Sequence, residues 1–384
     1  MNKVIEEYQR EFAHFFGAER AFGFWKGRVA LYALLRALDV NQGDEVILPG
    51  YTCVMNVNPI KYVGAKPVYV DIEPDTFNMN ANLLEEKITS KTKVIVAQHT
   101  YGYPCEMDAI MDIAQSKGIS VIEDCCLALG SKYKGKLAGT FGRAGYFSFQ
   151  WNKPYTTGLG GMVITSERKL TEQIESLLAD EMRPPPSWEV FMLRAQLIIY
   201  RLLVYPRTTA LAQNVFRYLT RKGAVVGSSS TSEYEPVKAD DFFKGMSTVQ
   251  ARSGIRQLGK IEANISHRKK MTQLYDELLA GRGWRSNKYD MDLVEPVLVR
   301  YPVRITEKRK ALAQAAKAGV ELGSWFECPL HPIETPLTSY DYEIGMCPEA
   351  DKASREVVNL PLHPRANERT AVKTVKFITG FTQI

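Results

Sequence analysis

Two stretches decide the fold: Gly118-Ile-Ser-Val-Ile-Glu-Asp-Cys-Cys126 and Gly145-Tyr-Phe-Ser-Phe-Gln-Trp-Asn-Lys153. Each is a glycine-led apolar run, of strand length rather than helix length, that ends in polar residues. Upstream the same unit recurs. Strands are expected at Glu45–Leu48, Pro67–Asp71, Lys93–Gln98, Ile119–Asp124, Gly145–Phe149 and Gly161–Thr165. Helix-period segments alternate with them at Arg28–Leu38, Val54–Val63, Asn80–Ile88 and Met107–Lys117. Such alternation is the pattern of an α/β fold with a largely parallel sheet and right-handed crossovers. Gly43, Gly64 and Gly118 stand where helix C-terminal caps are expected.

Downstream the rhythm breaks at Pro184–Pro186. Trp188 to Lys222 is mostly apolar, with six basic residues and one acidic, and a Ser/Thr run from Ser228 to Ser232 follows as an expected loop. A long helical stretch from Met246 to Leu279 leads to a strand near Val297–Val303, a helix near Glu307–Lys317 and a last helix from Glu368. The expected division is a large α/β domain over 1–250, with a helical insertion at 184–222, and a smaller α+β domain over 251–384.

Composition bounds what such a chain does. Its 384 residues, 45% hydrophobic and 24% charged, make an ordinary globular protein and exclude disorder, collagen-like repeats and a small disulfide scaffold. A net charge of +6 is too slight to imply nucleic acid, yet suits an anionic ligand. Six cysteines form no CxxC pair, so free thiols in a reducing compartment are expected, with no metal site. The N-terminus carries alternating charge instead of an apolar signal core. The most apolar run, from Leu197, is interrupted by Arg201 and stops at Pro206, short of the roughly 20 residues of a membrane span. A cytoplasmic location is expected.

In parallel sheets ligands collect outside the carboxyl ends of the strands. Glu123 and Asp124 end one strand, and alternation sends their side chains to opposite faces. Ser148 lies in the next strand, and Lys153 follows before Thr156-Thr-Gly-Leu-Gly-Gly-Met162. Trp151, Asn152, Pro154 and Tyr155 flank that lysine; desolvation by such neighbours lowers an amine pKa and frees a nucleophile or base. At Lys26-Gly-Arg-Val29 a glycine opens a helix, where backbone N–H groups and the helix dipole favour an anion that Arg28 grips further. Taken singly, each has a plain alternative: a helix cap, a solvated lysine, a surface arginine. Their order along the chain gives them weight.

In that order the chain resembles the fold type I pyridoxal-phosphate enzymes, specifically the DegT/DnrJ/EryC1/StrS family of sugar aminotransferases. The resemblance runs through Gly27-Arg-Val-Ala-Leu31, Gly43-Asp-Glu-Val-Ile-Leu-Pro49, Gly64-Ala-Lys-Pro-Val-Tyr-Val-Asp-Ile72, Val121-Ile-Glu-Asp124 and Phe147-Ser-Phe149 with Lys153. It continues through Thr157-Gly-Leu-Gly-Gly161, Val249-Gln-Ala251, Cys328-Pro-Leu-His-Pro332 and Leu360-Pro-Leu-His-Pro364. It implies a mostly parallel seven-stranded sheet with a smaller α+β C-terminal domain. By the same resemblance Lys153 is the Schiff-base lysine of pyridoxal 5'-phosphate, Asp124 the partner of its ring nitrogen and Ser148 a phosphate ligand, with Gly27 and Arg28 completing the phosphate cup. His331 falls in the segment that lies near the substrate in the family, whereas His99 reads as a structural histidine.

Four positions depart from the family pattern. Arg28 stands where Thr or Ser is common in the cup, and Leu127 where Gln contacts the cofactor hydroxyl. Cys53 replaces the ring-stacking aromatic, with Tyr51 as its expected substitute, and Phe243 replaces an Asn that reaches the partner subunit's phosphate. The implied activity moves an amino group from L-glutamate to a keto sugar, with or without a nucleotide attached. By the same resemblance its products are expected to serve cell-surface polysaccharide, lipopolysaccharide or natural-product synthesis, and a homodimer is expected. The alternatives are a sugar dehydratase of the same family, in which His replaces the lysine, and a non-catalytic cofactor-binding sensor or scaffold. For Trp188–Lys222, a peripheral membrane contact stands against a helical insertion packed on the large domain or at a dimer interface, the commoner role for such a segment.

Overall fold

The computed structural model describes residues 2–151, 153–200, 235–285, 289–332 and 337–383. The Ser228–Ser232 run and the insertion from Arg201 onward lie outside the described residues. Seven strands form the main sheet: β1 (Arg20–Phe24), β2 (Glu45–Pro49), β3 (Lys66–Val70), β4 (Thr92–Gln98), β5 (Ser120–Asp124), β6 (Ala144–Ser148) and β7 (Gly161–Thr165). Their order is β1-β7-β6-β5-β4-β2-β3, and β7 alone runs against the rest. Val46, Ile47 and Leu48 on β2, and Val94 to Ala97 on β4, are buried on both faces. That is the continuous apolar run of a sheet covered by helices on both sides.

The helices are α1 (Lys3–Phe16), α2 (Gly27–Ala37), α3 (Val54–Tyr62), α4 (Met107–Lys117), α5 (Arg168–Glu181) and α6 (Ser187–Ile199). Further on lie α7 (Thr248–Leu258), α8 (Ile261–Ala280), α9 (Lys308–Ala318), α10 (Pro348–Glu356) and α11 (Glu368–Ile378). In the second half, β8 (Arg300–Arg304) pairs antiparallel with β9 (Val357–Pro361).

Several expectations need correction. Asn80–Ile88 is two 3-10 turns, Ala81–Leu83 and Glu85–Lys87, in place of an α-helix. Gly43 does not close α2: the chain leaves that helix through Asp39, at φ 57°, with Val40 N–H donating back to Leu35 O. The stretch Met246–Leu279 breaks between Leu258 and Ile261, at Gly259-Lys260. The strand expected at Val297–Val303 begins at Arg300. Unforeseen elements are β1, an edge strand with a glycine inside it, and α1, whose Tyr8, Phe12, Ala13 and Phe16 bury one face.

One consequence of this topology positions the site. The carboxyl ends of β2, β4, β5 and β6 point to one edge, and β7, running the other way, begins there. Gly161 is registered against both Ser148 and Phe24, so the start of α2 is drawn beside the end of β6.

Candidate active site

A cleft opens at that edge, where the carboxyl ends of the parallel strands meet the start of α2. Gly27, Arg28, Asp124, Ser148 and Lys153 line it together. They come from the start of α2, the ends of β5 and β6, and the turn after β6.

At one end lies an anion cup. α2 starts without a side-chain cap and with no acid in its first turn, so its N-terminal dipole meets no built-in counter-charge. A methyl group on Gly27 would sit 2.6 Å from Ser148 Cβ and 2.9 Å from its Oγ, so only glycine lets the backbone approach the serine this closely. Gly161 is equally constrained, because a methyl there would lie 2.7 Å from Gly27 Cα. The Arg28 guanidinium belongs to a residue only 7% exposed and adds positive charge to the same wall.

At the other end Asp124 is held by a hydrogen-bonded frame. Its Oδ1 accepts the Cys126 N–H at 2.9 Å, and its Oδ2 accepts Asn56 Nδ2 at 2.6 Å. Asn56 also donates to Thr52 Oγ1 and Gln98 Oε1 and accepts the Tyr146 hydroxyl. Gln98 Nε2 is in turn fixed on Tyr51 O and Thr100 Oγ1. Strand alternation separates the two acids: Glu123 faces away, accepting the N–H groups of Gly139, Phe141 and Gly142 and contacting His99 Nε2 at 3.1 Å. His99 Nδ1 accepts the Cys105 N–H. The buried group His99, Glu123 and Cys125 has metal-ligand chemistry, but these hydrogen bonds already employ both carboxylate oxygens and both ring nitrogens.

Lys153 reaches the cleft from a turn in which its N–H donates to Gln150 O. The aromatic that meets its ammonium is not an immediate neighbour. Tyr155 turns away to bond Tyr8 Oη and Gly254 O, and Trp151 packs with Leu193 and Leu197. Trp325, from far along the chain, lies with its ring centre 4.9 Å from Lys153 Nζ; Arg300 covers the same indole, also at 4.9 Å. Burial raises the thiol pKa of Cys53 and of Cys126, so both present neutral S–H groups to the cleft.

Two expected residues stand outside the lining. Tyr51 is fully buried behind it, its hydroxyl 2.9 Å from that of Tyr101. His331 packs its ring against Phe326 and Trp325, themselves cleft residues, with ring centres 5.5 and 6.2 Å away. Leu127 lines the cleft, and Phe243 packs against Phe24 and Tyr32. Asn56, Gln98, Trp325 and Arg300 escaped the sequence reading. A polar residue such as Asn56 in the first turn of a helix that follows a strand was the available signal.

Fold and cleft together define an α/β enzyme built around an anionic cofactor. A family model described as the DegT/DnrJ/EryC1/StrS aminotransferase family matches residues 1–191 and 238–379. The chain belongs to that family, whose enzymes are aminotransferases dependent on pyridoxal 5'-phosphate. GDP-perosamine synthase of Escherichia coli O157:H7 is 46% identical over 169 residues, covering 44% of this chain and 46% of that protein. GDP-perosamine synthase of Caulobacter vibrioides is 30% identical over 376 residues, covering 96% and 87%. The solved aminotransferase from Psychrobacter cryohalolentis superposes with a TM-score of 0.77 at 23% identity, covering 99% of this chain and 91% of that one, and shares the fold.

The residues present fit the cofactor. The uncapped helix start with Gly27, Arg28 and Ser148 suits its phosphate, the framed Asp124 carboxylate suits its ring nitrogen, and Lys153 suits its aldehyde. When bound, the group supplies an electron-withdrawing ring beside an aldehyde that takes up amino groups. The chain's part would then be to hold an anion at the cup, hold a proton between Asp124 and the ring nitrogen, and move a proton at Lys153 Nζ.

Proposed function

We propose that this enzyme transfers the amino group of L-glutamate to a keto sugar, nucleotide-linked as in the relatives named for GDP-perosamine. The observation that carries the reading is the convergence of Lys153, Asp124, Ser148 and the Gly27-Arg28 helix start on one cleft. In this reading Lys153 carries the cofactor and then serves as the base that takes the proton from the donor's α-carbon. Asp124, oriented by Asn56, keeps the ring nitrogen protonated. Gly27, Arg28 and Ser148 anchor the phosphate, and His331 supports the aromatic wall on the substrate side. Tyr51 contributes from behind that wall, through its bond to Tyr101.

The same reading takes the enzyme to be a cytoplasmic homodimer, divided near residue 250 into a large cofactor domain and a smaller C-terminal one. Among the described residues no helix is long and apolar enough to cross a membrane.

The test is a half-reaction. Glutamate added to purified holoenzyme is expected to bleach the cofactor's aldehyde-form absorption, and a keto sugar to restore it with an aminated product visible by mass. Lys153→Ala is expected to abolish repeated turnover; multiple turnovers by that variant would sink the assignment. An inert spectrum with glutamate would instead favour a cofactor-binding sensor, the role to which the departures at Leu127 and Phe243 point.

A further inference from the structure

The cleft residues Trp325 and Phe326 lie in an irregular stretch between Gly323 and the short strand Leu330–His331, so no helix or strand ladder employs their backbone groups. Four side chains from other parts of the chain employ them instead. Asn359 Oδ1, on β9, accepts the Trp325 N–H at 2.8 Å, and the Tyr101 hydroxyl donates to Trp325 O. Phe326 N–H donates to Tyr51 Oη at 3.4 Å, and Lys308 Nζ, on α9, donates to Phe326 O at 2.7 Å. The two tyrosines close a ring. Because the Tyr101 proton goes to Trp325 O, Tyr51 is the donor in the 2.9 Å bond between the hydroxyls, and its oxygen is left to accept from Phe326.

Three members of this frame are themselves fixed. Asn359, 1% exposed, exchanges both of its backbone hydrogen bonds with Gly323, at 2.8 and 2.9 Å. Tyr101 stands in the left-handed region at φ 56°, an unfavourable conformation for a tyrosine, while its carbonyl accepts the Val299 N–H at 2.8 Å. Lys308, 6% exposed, makes no ion pair among the described residues and gives its ammonium to Phe326 O and Ser354 O, both at 2.7 Å. A buried cation with carbonyl partners alone is a costly way to satisfy two backbone oxygens. What the frame delivers is the indole of Trp325, its centre 4.9 Å from Lys153 Nζ.

We propose that Asn359 and Lys308 are positioning residues for the reaction: they hold the Trp325–Phe326 dipeptide so that the indole stays against Lys153 while that amine moves the substrate proton. The role builds on the reading of Lys153 as the base given above. Asn359 acts on the N–H that enters the dipeptide and Lys308 on the carbonyl that leaves it, and neither is among the residues lining the cleft. Their influence on the amine therefore passes through Trp325. Misplacement of a wall residue by about 1 Å is enough to be felt in the rate.

The experiment is a double-mutant cycle on the full-length holoenzyme, with the glutamate half-reaction followed by cofactor absorbance over a range of glutamate concentrations. Asn359→Leu and Lys308→Met are each expected to slow the maximal half-reaction about fivefold, as loss of one hydrogen bond would, with little change in the half-saturating glutamate concentration. Asn359→Asp, which keeps an acceptor for the Trp325 N–H, is expected to retain the wild-type rate. In a Trp325→Ala background neither substitution is expected to slow the reaction further, although each still lowers the melting temperature. Cofactor-free protein supplies a second readout, the near-ultraviolet circular dichroism that each protein loses on Trp325→Ala. That signal is expected to persist in Asn359→Asp and to collapse in Asn359→Leu. Wild-type rates in both Asn359→Leu and Lys308→Met, or losses that recur in full without Trp325, would overturn the proposal. A wild type inert toward glutamate would instead count against the aminotransferase reading; the dichroism then decides, and an unchanged signal in Asn359→Leu would overturn the frame as well.

Discussion

Asn56 sits one hydrogen bond from Asp124, the proposed partner of the ring nitrogen. Its amide donates to the Asp124 carboxylate at 2.6 Å while its oxygen accepts from Tyr146, so it orients the carboxylate proposed to face the ring nitrogen. A hydrogen bond to a charged group contributes about 1.5–3 kcal/mol, which converts to roughly a tenfold to hundredfold change. Asn56→Ala is therefore expected to lower kcat by about that factor at saturating cofactor. Asn56→Asp, which sets a second carboxylate beside Asp124, is expected to lose more. Steady-state kinetics beside a cofactor titration check both; an Asn56→Ala variant with wild-type kcat would show that Asp124 needs no such support. Trp325 belongs to the same scale. Lys153 sits over its indole, so Trp325→Ala is expected to slow the half-reaction with glutamate, read as the absorbance change, by about fivefold or more.

Among the elements, the start of α2 against the end of β6 makes the most exposed demand on the sequence. Gly→Ala inside a helix ordinarily stabilises by about 1 kcal/mol. At Gly27 the added carbon would meet Ser148 Cβ at 2.6 Å and force the helix off the strand. Gly27→Ala is thus expected to weaken cofactor binding by an order of magnitude or more while raising no melting temperature, measured by cofactor titration and calorimetry. Placement of this kind explains what the sequence disclosed. Strands β2 to β7 were legible because buried parallel strands are short continuous apolar runs, and Asp124, Ser148 and Lys153 followed from strand ends and chain order. β1 was not, since its Gly23 and its edge position leave a weak pattern, and Asn80–Ile88 was misread because its polar residues imitate a helical face. Trp325 and Arg300 escaped for another reason: the indole meets Lys153 through tertiary packing across more than a hundred residues, with Arg300 over the same indole, and no local period records such contacts.

At the scale of the whole molecule, His331 links the two halves of the chain and makes their union sensitive to acid. Its strand, Leu330–His331, pairs parallel with Thr52–Cys53, and Thr52 N–H donates to Pro329 O at 2.9 Å. Burial lowers the imidazole pKa to about 4; the cations Lys308, Arg300 and Lys153 push the same way and Glu327 opposes them. The folded ring is therefore neutral at pH 7, whereas in the unfolded chain it titrates near 6.5. Between those two values the unfolded state binds one more proton, so folding stability falls as the pH drops from about 6.5 to about 4. Over the whole interval the loss from this group is on the order of 3 kcal/mol, and above pH 7 it is absent. His331→Gln, which keeps an amide near the Glu327 N–H but cannot titrate, is expected to melt more evenly across that range than the wild type. Melting temperatures of both proteins at pH 7.5, 5.5 and 4.5 decide the matter. The gap between them should change steadily in favour of the variant as the pH falls, and a gap independent of pH would mean that the protons destabilising the fold bind elsewhere.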